Sequence, residues 1–164
     1  MSGARRPVRS FYGLDDHIRM GLNKPMRIMA VDFGDKRIGL AISDPDGGIA
    51  LPLDVVKHPG SMEDAARLIA DRAREEQAAL VVVGLPLNMD DSEGDRARRS
   101  REFGALLTDS GLEVELFDER LTSWEVEKML VDADVSRKRR KQVSDKLAAT
   151  LILRGFIEWR KQAR

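Results

Sequence analysis

The chain has 164 residues, a formal net charge of zero from 28 basic and 28 acidic side chains, and no cysteine. This length suits one domain with a buried core, and 42% apolar and 34% charged residues are typical of a globular protein. Without cysteine, disulfide scaffolds, thiolate zinc sites and cysteine nucleophiles are excluded, and without a membrane-length apolar stretch or secretory signal a cytoplasmic protein is expected.

Residues 1–25 show no clear periodicity and end on a proline before a strong apolar run. We therefore predict an extension outside the core fold, followed by a single domain over residues 26–164. A flexible tail, an additional substrate-binding arm and a consequence of start-site choice are all compatible with this extension.

Regular structure is predicted from residue 27 onward. Short apolar runs separated by Gly-Asp and Pro-Asp-Gly-Gly turns predict three consecutive strands, which we place at residues 28–32, 37–43 and about 49–56. Residues 79–84 are continuously apolar, as expected of a strand covered on both faces, and residues 114–118 form a fifth strand.

Four helices are predicted between and after these strands. Ser61 is a plausible N-cap for the first, and Gly111 ends a second that runs from near Ser92 to Ser110. Thr122 begins a third with a capping box, and the last runs from near Val143 almost to the C-terminus. The order predicts an α/β fold: a five-stranded mixed sheet, built as an antiparallel three-strand meander and then βαβ crossovers, with helices on both faces.

Two acidic side chains follow the ends of predicted strands. Asp32 ends the first strand and Glu119 follows the fifth. Ligands of such sheets gather at the carboxyl ends of strands, so these carboxylates would meet if the first and fifth strands run parallel.

A third acid, Asp145, lies on the apolar stripe of the last helix, three and four residues before Ala148 and Ala149. A carboxylate on a buried face is costly unless it is paired or binds a metal ion. The alternative is that Asp145 lies in the first turn, next to a Ser144 cap, where free backbone N–H groups and the helix dipole stabilise it.

Carboxylates without histidine suit Mg²⁺ or Mn²⁺ rather than zinc, because His17 and His58 lie in unrelated segments. Two such ions about 4 Å apart can activate water and stabilise the leaving oxygen of a phosphodiester. Two basic clusters could hold the polyanion, although a solvated surface explains such clusters equally well. They are Arg96, Arg98, Arg99 and Arg101, and the run Arg137, Lys138, Arg139, Arg140 and Lys141.

Four motifs in order resemble the YqgF/RuvX family. They are residues 32–44 (DFGDKRIGLAISD), 84–89 (GLPLNM), 118–122 (DERLT) and 145–153 (DKLAATLIL). This family is similar to the RuvC Holliday junction resolvases and has the ribonuclease H-like fold. One departure lies after Met89, where Asp90-Asp91-Ser92 replaces the usual Asp-Gly-Ser and is expected to stiffen the loop.

The resemblance implies that Asp32, Glu119 and Asp145 match the family's acidic metal-binding positions, with Asp32 bridging two Mg²⁺ or Mn²⁺ ions. It also implies a nuclease that matures the 5′ end of pre-16S rRNA or, alternatively, resolves branched DNA, which would require a homodimer. Arg37 and Arg120 match positions beside the site, where they either contact phosphate or pair with neighbouring acids.

Two further hypotheses are weaker. Asp-x-Gly followed by a hairpin also opens the sugar-kinase and actin-like ATPases, but those need a second such domain and this chain is too short for one. A nucleic-acid-binding or ribosome-binding factor with little catalysis is disfavoured because all three acids are present.

Overall fold

The computed structural model describes residues 25–121 and 136–162, without the side chains of residues 140–146. Its strands are β1 (Ile28–Phe33), β2 (Arg37–Ser43), β3 (Ala50–Lys57), β4 (Leu80–Leu85) and β5 (Val114–Asp118). Its helices are α1 (Met62–Glu75), α2 (Asp95–Asp109) and α3 (Arg137–Gln162), with a 3-10 turn at Glu119–Leu121. None of the helices in the described part of the chain has the length and apolar character of a membrane span.

The strands form one sheet in the order β3-β2-β1-β4-β5. β1, β2 and β3 pair antiparallel, whereas β4 pairs parallel with both β1 and β5. The predicted mixed sheet, with its meander and crossovers, is therefore confirmed. The assumption that the first and fifth strands run parallel is also correct, and β1 is the central strand.

The two faces of the sheet form two separate apolar cores. Successive β1 residues point to opposite faces of the sheet. Met29 and Val31 therefore pack with α1 and α2, while Ile28 and Ala30 pack with α3. Helices thus cover both faces, as predicted. On the face that α3 covers, the carboxyl end of β1 extends past the apolar core residues Ile28 and Ala30.

The start and end of the helices follow local chemistry. The Ser61 side chain accepts a hydrogen bond from the Asp64 N–H at 3.1 Å, which confirms it as the N-cap of α1. α2 begins at Asp95 rather than near Ser92, because the Ser92 backbone and hydroxyl bond to Asp90 in a turn of the preceding loop. Gly111, at φ 89°, follows its C-terminus as predicted.

α3 begins at Arg137, six residues before the predicted start near Val143. Arginine and lysine favour helix, so the basic run forms the first turns instead of preceding them. The apolar stripe from Ala148 onward marks only the part of the helix that packs on the sheet. The helix predicted from Thr122 lies outside the described residues.

Candidate active site

Asp32 lies near the carboxyl end of β1, on the sheet face that α3 covers. It is paired across the strands with Gly39 of β2. A Cβ atom at Gly39 would lie 3.5 Å from the Asp32 Cβ and 3.6 Å from the Ala149 Cβ of α3. Because glycine supplies no side chain there, Asp32 keeps a small free space between β2 and α3.

Glu119 is the first residue after β5, and its side chain lies over Gly84 of β4. A Cβ atom at Gly84 would lie 2.5 Å from Glu119 Oε1 and 2.5 Å from Ile152 Cδ1, closer than real Cβ contacts allow. The register that pairs Val31 with Val83 places Gly84 next to Asp32. Gly84 therefore separates the two acids and leaves room for the Glu119 carboxylate.

The electrostatics of Glu119 reflect its burial and the nearby acid. The pKa of Glu119 is raised from an ordinary value of 4.5 to about 7, first by burial and then by the negative charges of Asp32 and Asp118, while Arg96 opposes the shift. The structure thus brings Asp32 and Glu119 together, as the sequence predicted. A carboxylate with a raised pKa in such a pair is typical of a functional site.

The Asp145 side chain lies outside the described residues, but the helix that carries it is described. Because α3 begins at Arg137, Asp145 lies in the helix interior, and the alternative of a first-turn acid next to a Ser144 cap is wrong. Asp145 is one turn before Ala149, which borders Gly39. The described side chains contain no group of three or more potential metal ligands, so the third acidic ligand stays a prediction.

Arg120 joins the end of β5 to the loop between β4 and α2. Its Nε lies 3.0 Å from both carboxylate oxygens of Asp118, and Nη1 donates to the Asn88 carbonyl at 2.9 Å. Nη2 donates to Asp118 and to Asp91 at 2.6 and 2.8 Å. The bonds to Asp118 and Asp91 raise the pKa of Arg120. They favour the pairing role, while phosphate contact by Arg120 stays a prediction.

Asp91 explains how the departure from the usual Asp-Gly-Ser is accommodated. It adopts φ 66°, the left-handed region that favours glycine and that aspartate tolerates better than most residues. Its carboxylate binds Arg120, so the substitution adds a contact that glycine cannot make. The contact ties the loop to the end of β5, beside Glu119.

The other predicted cations differ in their surroundings. Arg37 is exposed at the start of β2, two residues from Gly39 and hence on the face of Asp32. Arg137, Lys138 and Arg139 are exposed at the start of α3, and the side chains of Arg140 and Lys141 lie outside the described residues. In the other cluster, Arg98, Arg99 and Arg101 pair with Asp95, Asp35 and Glu93, as expected of a solvated surface.

Sequence reasoning missed Gly39 and Gly84 as parts of the site. Both belong to the motifs noted above, but a glycine's role in making space depends on what lies across from it. In this protein those neighbours are side chains of β1, α3 and the turn after β5, and those of α3 and the turn are distant in sequence from the glycines. A glycine within an otherwise apolar strand was the available signal, since it often marks a close approach.

Solved structures similar to this one share its architecture. T. thermophilus RuvC in complex with a Holliday junction substrate matches with a TM-score of 0.54 and 16% identity, over 84% of this chain and 96% of that one. The yeast mitochondrial Holliday junction resolvase Ydc2 matches with a TM-score of 0.51 and 11% identity, over 92% and 88%. The ribonuclease H-like fold is confirmed.

Sequence comparison is more specific. The family model of RuvX, described as Holliday junction resolvase, matches residues 26–159, and the chain belongs to this family. A protein of Pelotomaculum thermopropionicum named "Putative pre-16S rRNA nuclease" is 49% identical over 134 residues, 81% of this chain and 87% of the relative. A Myxococcus xanthus protein of the same name is 46% identical over 134 residues, 81% and 88%. Family membership makes the chain a hydrolase that cleaves phosphodiester bonds of nucleic acid.

Proposed function

We propose that this protein is a divalent-metal-dependent nuclease that acts in 5′-end maturation of pre-16S rRNA in the cytoplasm. The observation that carries the mechanism is the pair of carboxylates, Asp32 and Glu119, held on one face of the sheet over Gly39 and Gly84. The names of the relatives support this substrate, and two of them are 49% and 46% identical to this chain.

The residues present fit a hard divalent cation. Asp32 and Glu119 offer oxygen ligands, and the missing side chains at Gly39 and Gly84 leave space around them. We propose Mg²⁺ or Mn²⁺, two ions in all, with Asp145 as a further ligand from α3. When bound, such ions would lower the pKa of water and stabilise negative charge on the leaving oxygen.

The chain's own residues perform the remaining tasks. β1 and the turn after β5 hold Asp32 and Glu119 in a fixed relation, because Gly84 lies between them within the sheet. Negative charge in this partly buried pair favours a cation, which would offset the burial and the repulsion that raise the pKa of Glu119. The exposed cations at Arg37 and at residues 137–139 of α3, together with Arg140 and Lys141, are proposed to bind the phosphates of the substrate.

The second candidate is resolution of Holliday junctions, which the description of the matching family favours. The same carboxylates would serve this reaction, since junction DNA and precursor RNA present the same phosphodiester to them. Symmetric cleavage of two strands requires two active sites, so this candidate also predicts a homodimer. A binding factor with little catalysis is the third.

The test is cleavage by the Asp32→Asn protein in Mg²⁺ or Mn²⁺, with a pre-16S rRNA fragment and a four-way DNA junction as substrates. We expect wild-type protein to cut the rRNA fragment and Asp32→Asn to lose at least about a thousandfold in rate. Asp71→Asn is the matched control, because Asp71 is 72% exposed on α1 and pairs with Arg74. Melting temperatures of both variants should stay near that of the wild type.

Each other outcome selects among the candidates. Cleavage by Asp32→Asn at the wild-type rate would contradict the carboxylate mechanism. Cleavage of the junction but not of the rRNA fragment would favour the resolvase. A gel shift of either substrate without cleavage in any metal would favour the binding factor.

A further inference from the structure

The sheet face that carries Asp32 continues across β2 onto the edge strand β3. The register pairs Asp32 with Gly39 and Gly39 with Val55, so these three positions form one row across the strands. Paired residues of antiparallel strands lie on the same face. Because neighbouring strands are about 4.8 Å apart, the Val55 backbone lies about 10 Å from that of Asp32.

This row forms a low floor that leads away from the carboxylates. Gly39 has no side chain, and the Val55 side chain is exposed, with 46% of its residue area accessible. At Gly39 the row is bordered by α3, where the Ala149 side chain approaches. The row therefore offers an extended strand of nucleic acid a backbone surface at Gly39 and an exposed side chain at Val55.

A second row, one step further along the strands, is cationic. Arg37 pairs with Lys57, and each lies two residues from its neighbour in the first row, Gly39 or Val55. Two residues of a strand span about 7 Å, and the period of two keeps these cations on the face of Asp32. Both are exposed, and among the described residues neither forms an ion pair.

The two cations line an open groove of about 750 Å³ together with Lys36, His58 and Asp35. The acid in this groove is already paired, because the Asp35 carboxylate binds Arg99 of α2. The groove thus presents net positive charge beside a smooth, partly apolar floor. A phosphodiester strand matches both features, since its phosphates are anionic while its sugars and bases can lie on apolar surface.

We propose that one strand of the nucleic acid leaves the active site across β2 and β3, over Gly39 and Val55, while Arg37 and Lys57 hold phosphates next to the scissile one. This inference rests on the proposed function and adds to it the direction of the substrate strand and two residues, Lys57 and Val55. The occupant is nucleic acid rather than a second copy of the chain, because Arg37 and Lys57 would repel their equivalents in a copy.

The test measures binding of a short fluorescent single-stranded RNA, and separately of a four-way DNA junction, to the full chain carrying Asp32→Asn, in chelator. In this background we expect Lys57→Ala to weaken binding about tenfold. It should also reduce the slope of log affinity against log salt by about 0.7 for the single strand. Val55→Glu should weaken binding at least as much, because it places a negative charge on the floor.

Two control substitutions are matched in residue type. Lys161→Ala removes an exposed lysine near the C-terminal end of α3. Ile49→Glu introduces a carboxylate at a 61% exposed position just before β3 begins, at the end of the strand away from Val55 and Lys57. We expect both controls to bind RNA as the parent does. Melting temperatures within a few degrees of the parent value establish that all four variants are folded.

Equal binding by the Lys57 and Val55 variants and their controls would overturn the proposal. A decrease in the light-scattering mass on Val55→Glu would overturn it too, because it would show that a second copy covers this edge. Since binding is measured without metal in a protein that lacks Asp32, failure of the proposed cleavage leaves this test valid. The two hypotheses can thus fail separately.

Discussion

The two faces of the sheet differ at the carboxyl end of the central strand. On the α1 and α2 face, the end of β1 is filled by Phe33, which stacks on Phe103 with ring centroids 4.1 Å apart. On the α3 face, the neighbouring position is Asp32, flanked by two glycines. The same strand therefore ends in a sealed apolar core on one face and in a carboxylate site on the other.

The comparison shows how alternation in a strand separates stability from chemistry. Phe33 and Asp32 are adjacent in sequence but point to opposite faces. Apolar packing on one face offsets the cost of holding two partly buried acids close together on the other. Glycine in β2 and β4 leaves this second face open where side chains would otherwise close it.

Of the substitutions considered, Gly84→Ala should have the largest effect on the carboxylate site of the α3 face. The new methyl group would occupy the space of Glu119 Oε1 and Ile152 Cδ1, each 2.5 Å from the added Cβ. We expect the nuclease rate to fall about a hundredfold or more, because displacement of a catalytic group by about 1 Å has that effect.

Gly39→Ala and Gly48→Ala are graded controls for this prediction. A Cβ atom at Gly39 makes ordinary contacts of 3.5 and 3.6 Å, and one at Gly48 lies 3.8 Å from its nearest neighbour, Asp44. We expect a smaller loss of rate for the first and none for the second. If Gly84→Ala cleaves as fast as Gly48→Ala, the role of Gly84 is disproved.

A substitution on the opposite face should affect stability without changing the site. Phe103 is fully buried in α2, so Phe103→Ala is expected to lower the free energy of unfolding by about 3–5 kcal/mol. At a temperature where the variant is folded, the cleavage rate per folded molecule should remain that of the wild type. Urea denaturation followed by activity assays would check both statements. A rate loss as large as that of Gly84→Ala would show that the faces are not independent.

The smallest expected effect is the pH dependence that Glu119 confers on metal-free protein. Its pKa is raised to about 7 from an ordinary 4.5, so the contribution of Glu119 to folding stability is fully present below pH 4.5 and is lost as the pH rises through about 7. Glu119→Gln cannot ionise and should avoid this loss. In chelator, we expect its melting temperature to exceed that of the wild type by a few degrees at pH 8 but not at pH 4.5. An equal difference at both pH values would contradict the assignment.

The sequence by itself determined the order of the elements that the structure describes, the mixed sheet and the two strand-end acids. Apolar alternation and turn residues are local signals, and strands 37–43 and 114–118 agree with the structure at both ends. The start of α3 was wrong by six residues because the apolar stripe reports where a helix packs, not where it begins.

Only the tertiary structure decided which groups surround those acids. The spacing of residues within a helix cannot tell a first-turn aspartate from an interior one, and the early start of α3 settled that point for Asp145. The importance of Gly84 likewise depends on Glu119 and Ile152, which are distant in sequence and meet only when β4, β5 and α3 pack together. Local chemistry specifies the elements, whereas the space that a site requires is created by residues that contact one another only in the fold.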